Sequence, residues 1–165
     1  MDFVHYGLGR WVHIMAGVMW IGLLYYFNFV NAAAAKAAAA DGSGAGIGKH
    51  VMPRALLYFR WAAVVTWLAG AALLGAHLPD AFMFRSKACA PIGVGAWLGT
   101  IMLFNVWVLI WPNQQKVLGM KPADDAEKNK ARRIAFLASR VNTMFSIPLF
   151  FFMSASGGIF RTGFF

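Results

Sequence analysis

His13 stands near the start of an apolar run, RWVHIMAGVMWIGLLYYFNFVN, over residues 10–31. An imidazole inside hydrocarbon is costly without a partner, so such a residue is a functional candidate by default. His13, Gly17, Trp20, Leu24, Phe27 and Asn31 fall on one helical face by steps of four and three. A histidine followed one turn later by glycine leaves a slot beside the ring. A porphyrin needs such a place: a neutral imidazole nitrogen for iron, and no side chain where its plane lies. The alternative is a histidine hydrogen-bonded to a neighbouring helix. His77 closes the second apolar run, which returns antiparallel, so His13 and His77 are expected level with each other. His5 lies on the same side, and His50 on the other. The sequence thus offers His13 and His77 as metal ligands for a haem b, with His5 as another second ligand. An interfacial, solvated His77 is the competing reading.

A second group lies deeper. Arg60 and Arg140 each sit about two turns inside an apolar run, and Asn28, Asn105, Asn142 and Thr143 occupy the same half of the membrane. No apolar run contains Asp or Glu. Arginines in hydrocarbon without an internal counter-ion must snorkel or find an anion: a lipid phosphate, a propionate, a quinone or an anionic substrate. The guanidinium fork suits planar oxyanions. About 17 residues separate Arg60 from His77, roughly 25 Å of helix, so one haem at His13/His77 would not reach Arg60. The absence of intramembrane carboxylates also argues against a proton-driven transporter.

The elements that must position these groups follow from composition. Of 165 residues, 60% are hydrophobic and 13% charged, and the mean hydropathy is +0.59. A soluble domain is roughly 25% charged, so the expected class is an integral membrane protein. Four runs are long enough to cross a bilayer, about 10–31, 54–77, 92–111 and 134–153. They predict an all-α four-helix membrane bundle forming a single domain, 1–165. Residues 32–52 are an Ala/Gly-rich, low-complexity linker, and residues 113–133 form a charged loop. Pro148 marks an expected kink. The first run is longer than a signal-peptide core of about 7–15 residues, so it is read as a retained helix.

Net charge is +9. Nine basic residues lie in loops one and three, against four on the opposite side (Arg10, Arg85, Lys87, Arg161). The positive-inside bias then puts both loops in the cytoplasm and both termini in the periplasm. Lipid headgroups account for the charge, and no nucleic-acid partner is expected. The single cysteine, Cys89, forms no disulfide within the chain, and no CxxCH attaches a c-type haem.

Four blocks in order, RWVHIMAGVMWIGLLYYFNFVN, PRALLYFRWAAVVTWLAG, NVWVLIWPNQQKVLG and ASRVNTMFSIPLFFFM, resemble the membrane domain of the bacterial cytochrome-fused membrane urate oxidases (urate hydroxylases). The first helix also looks, more distantly, like those of the membrane protoporphyrinogen oxidase family. The resemblance spans about half of the urate oxidase membrane domain. It implies a multi-pass protein of the bacterial inner membrane linked to electron transfer. The matching residues include His13, Trp20, Asn28, Arg60, Asn105 and Arg140. The family's typical member has a longer membrane domain and a C-terminal cytochrome c. A second copy or a separate cytochrome c is therefore expected to supply the remainder.

Taken together, the sequence predicts an inner-membrane redox protein that binds haem b through His13, with Gly17, Trp20, His77, Asn28, Asn105, Arg60 and Arg140 as the cofactor-binding set. A homo-oligomer or larger membrane complex is the expected setting. Two other functions stay open: a non-catalytic accessory subunit of a respiratory or photosynthetic complex, and a urate-oxidising enzyme with a partner cytochrome. Whether the chain is itself an enzyme is not decided by its sequence.

Overall fold

A computed structural model describes residues 3–162, with side chains from 6 to 156. Four helices are long and apolar enough to cross a membrane: α1 (Tyr6–Ala40), α2 (Ile47–Phe82), α3 (Ala90–Val117) and α4 (Asp125–Ser156). The described residues contain no strand. The chain is an all-α, multi-pass membrane bundle.

The helices run further than their apolar cores. The Ala-rich half of the expected linker is helical over Ala32–Ala40, because alanine is the strongest helix former and nothing in AAAAKAAAA stops it. Loop one shrinks to a turn at residues 41–44. There the Ser43 hydroxyl and N–H both donate to the Asp41 carboxylate, which holds that acid below its usual pKa. The charged loop shrinks likewise. Asp124 Oδ1 accepts from the Glu127 N–H at 2.7 Å, an N-cap that starts α4 at Asp125. Asp125 and Glu127 in the first turn suit the helix dipole. Pro148 lies inside α4, and the helix continues past it.

Three stretches depart from α geometry by widening. Tyr26–Asn31 of α1, Ile47–Val51 at the start of α2 and Asn105–Ile110 of α3 are π-helical turns. Such turns concentrate at functional sites in other proteins. At the far end of α2, Gly75 takes φ +50°, a conformation open mainly to glycine. A tight 3₁₀ turn, Gly75–His77, follows it.

Packing is pairwise. α1 lies chiefly on α2, and α3 on α4, with thinner contact between the pairs. Small residues set the α1–α2 register. Gly9 abuts Leu73, His13 abuts Gly70 and Gly17 abuts Thr66. The apolar core is Trp20, Leu24, Leu56, Phe59, Met102 and Val106. Large apolar side chains also cover the outside, among them Trp11, Val18, Leu68, Phe104, Ile147 and Phe151. In lipid that surface needs no burial. Polar side chains collect inside instead: Asn28, Thr66, Asn105, Asn142, Ser146 and Ser156 are all buried. Between membrane helices, such groups and small residues do the gluing that apolar burial does in water.

Candidate functional site

The candidate residues fall into two places along the bundle. The first is an imidazole alcove between α1 and α2. His13 is half-buried, and its Nδ1 lies 2.8 Å from the Thr66 carbonyl oxygen. A carbonyl only accepts, so Nδ1 must carry the proton and donate. In the neutral ring, Nε2 is then the nitrogen with the free lone pair. Gly70 makes room for the ring: a Cβ there would lie 2.9 Å from His13 Cε1 and 3.0 Å from Nδ1. Thr66 is buried, and its own hydroxyl donates to the Ala62 carbonyl.

Both sequence readings of His13 meet here. It is hydrogen-bonded to a neighbouring helix, and the same bond presents a nitrogen lone pair. The slot expected beside Gly17 faces the Thr66 methyl, 3.7 Å from where a Cβ would stand. α2 therefore lies against that side of α1.

His77 is not brought to His13. It lies seven residues beyond Gly70 in the chain, roughly 10 Å further along the bundle at about 1.5 Å per residue. It is exposed in the 3₁₀ turn. The expectation that the two are level is corrected for a physical reason: the meshing of Gly9, Gly17, Thr66 and Gly70 sets the register, not the ends of the apolar runs. The side chain of His5 lies outside the described residues. His50 is exposed near loop one.

The second place is a polar seam roughly 20 Å away, since 15 helical residues separate His13 from Asn28. Asn105 Nδ2 donates to Asn142 Oδ1 at 2.8 Å, and Asn142 Nδ2 donates to the Met102 carbonyl at 3.0 Å. This pins α3 to α4. The Asn28 amide NH2 donates to the Leu24 carbonyl at 2.8 Å and to Ser139 Oγ at 2.7 Å, joining α1 to α4. Ser146 donates to the Thr143 carbonyl, so its bond with the Tyr25 hydroxyl at 2.9 Å runs from tyrosine to serine. Asn28 and Asn105 sit in the π-helical turns of α1 and α3.

The Asn105–Asn142 link yields a direct prediction. A double-mutant cycle with Asn105→Leu and Asn142→Leu, read by thermal unfolding in detergent, should give a coupling of roughly 0.5–1.7 kcal/mol. Additive effects would mean that the two amides act separately.

Beside this seam is a cavity of about 350 Å³ near loop one, where all four helices contribute. Asn28, Asn31, Gln114, Ser139 and the exposed Arg132 supply its polar lining. The Oδ1 atoms of Asn28 and Asn31 are buried without a hydrogen-bond partner.

The two intramembrane arginines do not converge on this cavity. The Arg60 guanidinium lies 3.7 Å over the Trp111 ring, and that of Arg140 lies 5.0 Å from the Phe136 ring. Each is a cation–π contact, which the negative ring face stabilises. Among the described residues neither arginine meets a carboxylate. Trp20, on the His13 face, is 2% exposed and belongs to the core.

Residue types alone did not point to Thr66, Gln114, Arg132 or Ser139; Gly70 stood out only as a small residue at packing spacing. Thr66 and Gly70 matter only once α2 is set against α1. Ser139 had a readable signal, because a hydroxyl one turn before Thr143 in an apolar run needs an internal partner.

The fold and its polar interior define the class: a four-helix, multi-pass membrane protein with hydrogen-bonding side chains buried between its helices. The family model described as urate oxidase N-terminal matches residues 76–157, about half of the chain. Residues 76–157 are thus similar to the N-terminal membrane domain of urate oxidase. No curated protein and no solved structure matches it.

Proposed function

We propose that the protein is an electron-transfer component of the bacterial inner membrane that holds haem b on His13. The observation that carries this reading is the Nδ1–H···O=C bond to Thr66. Metal-ligating histidines characteristically donate their second ring N–H to a carbonyl or carboxylate, which fixes the tautomer and aims the other nitrogen. His13 has that arrangement, so it would hold the haem iron through Nε2. His77 of the same chain, roughly 10 Å further along the bundle, would not join it. Any further residue holding the haem would come from another copy of the chain or from a partner subunit. A haem bound here would supply one-electron transfer. The protein's own part is to orient Nε2 and to exclude water with the surrounding apolar helices.

Oxidised and reduced spectra of the detergent-purified, haem-supplied protein test this. A Soret band and a reduced α-band are expected, and His13→Ala should abolish or shift them. No Soret band in the wild type, or an unchanged spectrum in His13→Ala, would remove the reading.

The family match favours a second reading, oxidation of urate with a separate cytochrome c as electron acceptor. Oxygen or cytochrome c reduction should then respond to added urate in membranes holding both proteins. No response counts against it.

A further inference from the structure

We propose that the cavity beside loop one binds a neutral, ring-shaped molecule bearing two hydrogen-bond donors, of the hydroquinone class. This rests on the cavity alone and stands apart from the haem reading.

Asn28 is only 6% exposed. Its NH2 group is committed twice, to the Leu24 carbonyl and to Ser139 Oγ. A carbonyl accepts and never donates, so the amide cannot be flipped. Oδ1 is therefore a fixed acceptor, buried and unpartnered. Asn31, three residues on in the same π-helical turn, has a second unpartnered Oδ1. Both residues line the cavity. Buried polar groups are nearly always satisfied, and the exceptions call for a ligand or water. Two acceptors ask for two donors.

The rest of the lining narrows the occupant. Phe27, Leu56, Phe59, Ile110 and Phe136 give it apolar walls, which suit the faces of a ring. Arg132 also lines the cavity and disfavours a cation. The paired carboxamide oxygens disfavour an anion. A volume of about 350 Å³ lies at the small end of ligand pockets, which run about 300–1,000 Å³. It admits one substituted ring and excludes a porphyrin. A hydroquinone is neutral and flat, and it carries two O–H donors.

The test uses durohydroquinone, kept reduced under argon, with the full chain in detergent and binding read by equilibrium dialysis. Saturable binding is expected. Duroquinone has the same skeleton without donors and should bind at least about tenfold more weakly. Two variants leave the hydrogen bonds of the fold intact. Asn31→Leu removes an acceptor that bonds nothing in the protein. Gly48→Leu adds bulk at a lining position where a Cβ meets no atom within 4 Å. Each should weaken durohydroquinone about tenfold or more. A decyl-tailed hydroquinone that binds tighter than durohydroquinone supports a membrane-borne ring, and equal binding supports a water-borne one. No saturable binding to the wild type overturns the proposal and leaves water on the carboxamides. Equal binding of duroquinone, or unchanged affinity in both variants, overturns it too.

Discussion

Gly93→Ala is expected to lower the midpoint of thermal unfolding in detergent by roughly 5–10 °C, the largest loss from any single methyl group in the bundle. Gly93 is buried in the first turns of α3. A Cβ there would collide with the Ala81 carbonyl oxygen and lie 2.9 Å from the Phe84 ring edge. Ala81 is itself fully buried in the short helix Leu78–Phe82 that ends α2. The neighbour is backbone, so no rotamer change relieves the clash. The α2–α3 hairpin must open instead. Overpacking costs typically about 1–3 kcal/mol where side chains can yield, and here the upper end applies. Gly99→Ala is the control, because its Cβ would meet only Leu149 Cδ1, at 3.9 Å. Equal midpoints for the two variants would show that the hairpin is loose.

Gly70→Ala should behave in the opposite way, sparing the fold and spoiling the alcove. The added methyl meets His13 at Cε1 and Nδ1. That ring sits on a side chain that can swing away, so overpacking is relieved cheaply. The swing breaks the bond to the Thr66 carbonyl, a loss of about 0.5–1.5 kcal/mol. Its larger effect is on the imidazole, whose tautomer is no longer dictated. ¹⁵N shifts of His13 should show a protonated Nδ1 in the wild type and a mixture of tautomers in Gly70→Ala, with no cofactor needed. In haem-loaded protein the variant should lose the Soret band at least about tenfold more readily, as second-shell changes at metal sites do. A wild-type spectrum in Gly70→Ala would mean that the alcove does not orient the ligand.

The contrast shows what the sequence could and could not convey. The four helices were legible because runs of about 20 apolar residues have few alternatives. The His13 face was legible too: Trp20 and Leu24 are buried, and Phe27 and Asn31 reach the cavity. The partner of that face was not. Spacing pointed to Gly17 as the vacancy beside the imidazole, whereas the residue that makes room is Gly70, 57 positions away. Which glycine of α2 meets which residue of α1 depends on a register that hydropathy does not encode. Helix ends were readable but outweighed. Asp124 followed three residues later by Glu127 is a capping signature, yet the density of charge suggested a loop. The arginines read as waiting for an anion because Trp111, far from Arg60 in the chain, could not be placed over it.

The widened turn at Tyr26–Asn31 has a consequence for how α1 tolerates change. Relative to an α-helical path, a π-helical turn accommodates one extra residue. Removing Phe29, which is exposed, would let the turn relax to ordinary pitch. The part of α1 beyond it would keep its phase towards α2, while Asn28 and Asn31 would lose the offset that directs both amides to one side. A substitution there leaves the helix continuous but costs only a side chain. A deletion redraws which atoms of that turn face inward. Chains of this kind should therefore vary freely in the identity of residue 29, and hardly at all in the number of residues between Leu24 and Ala32.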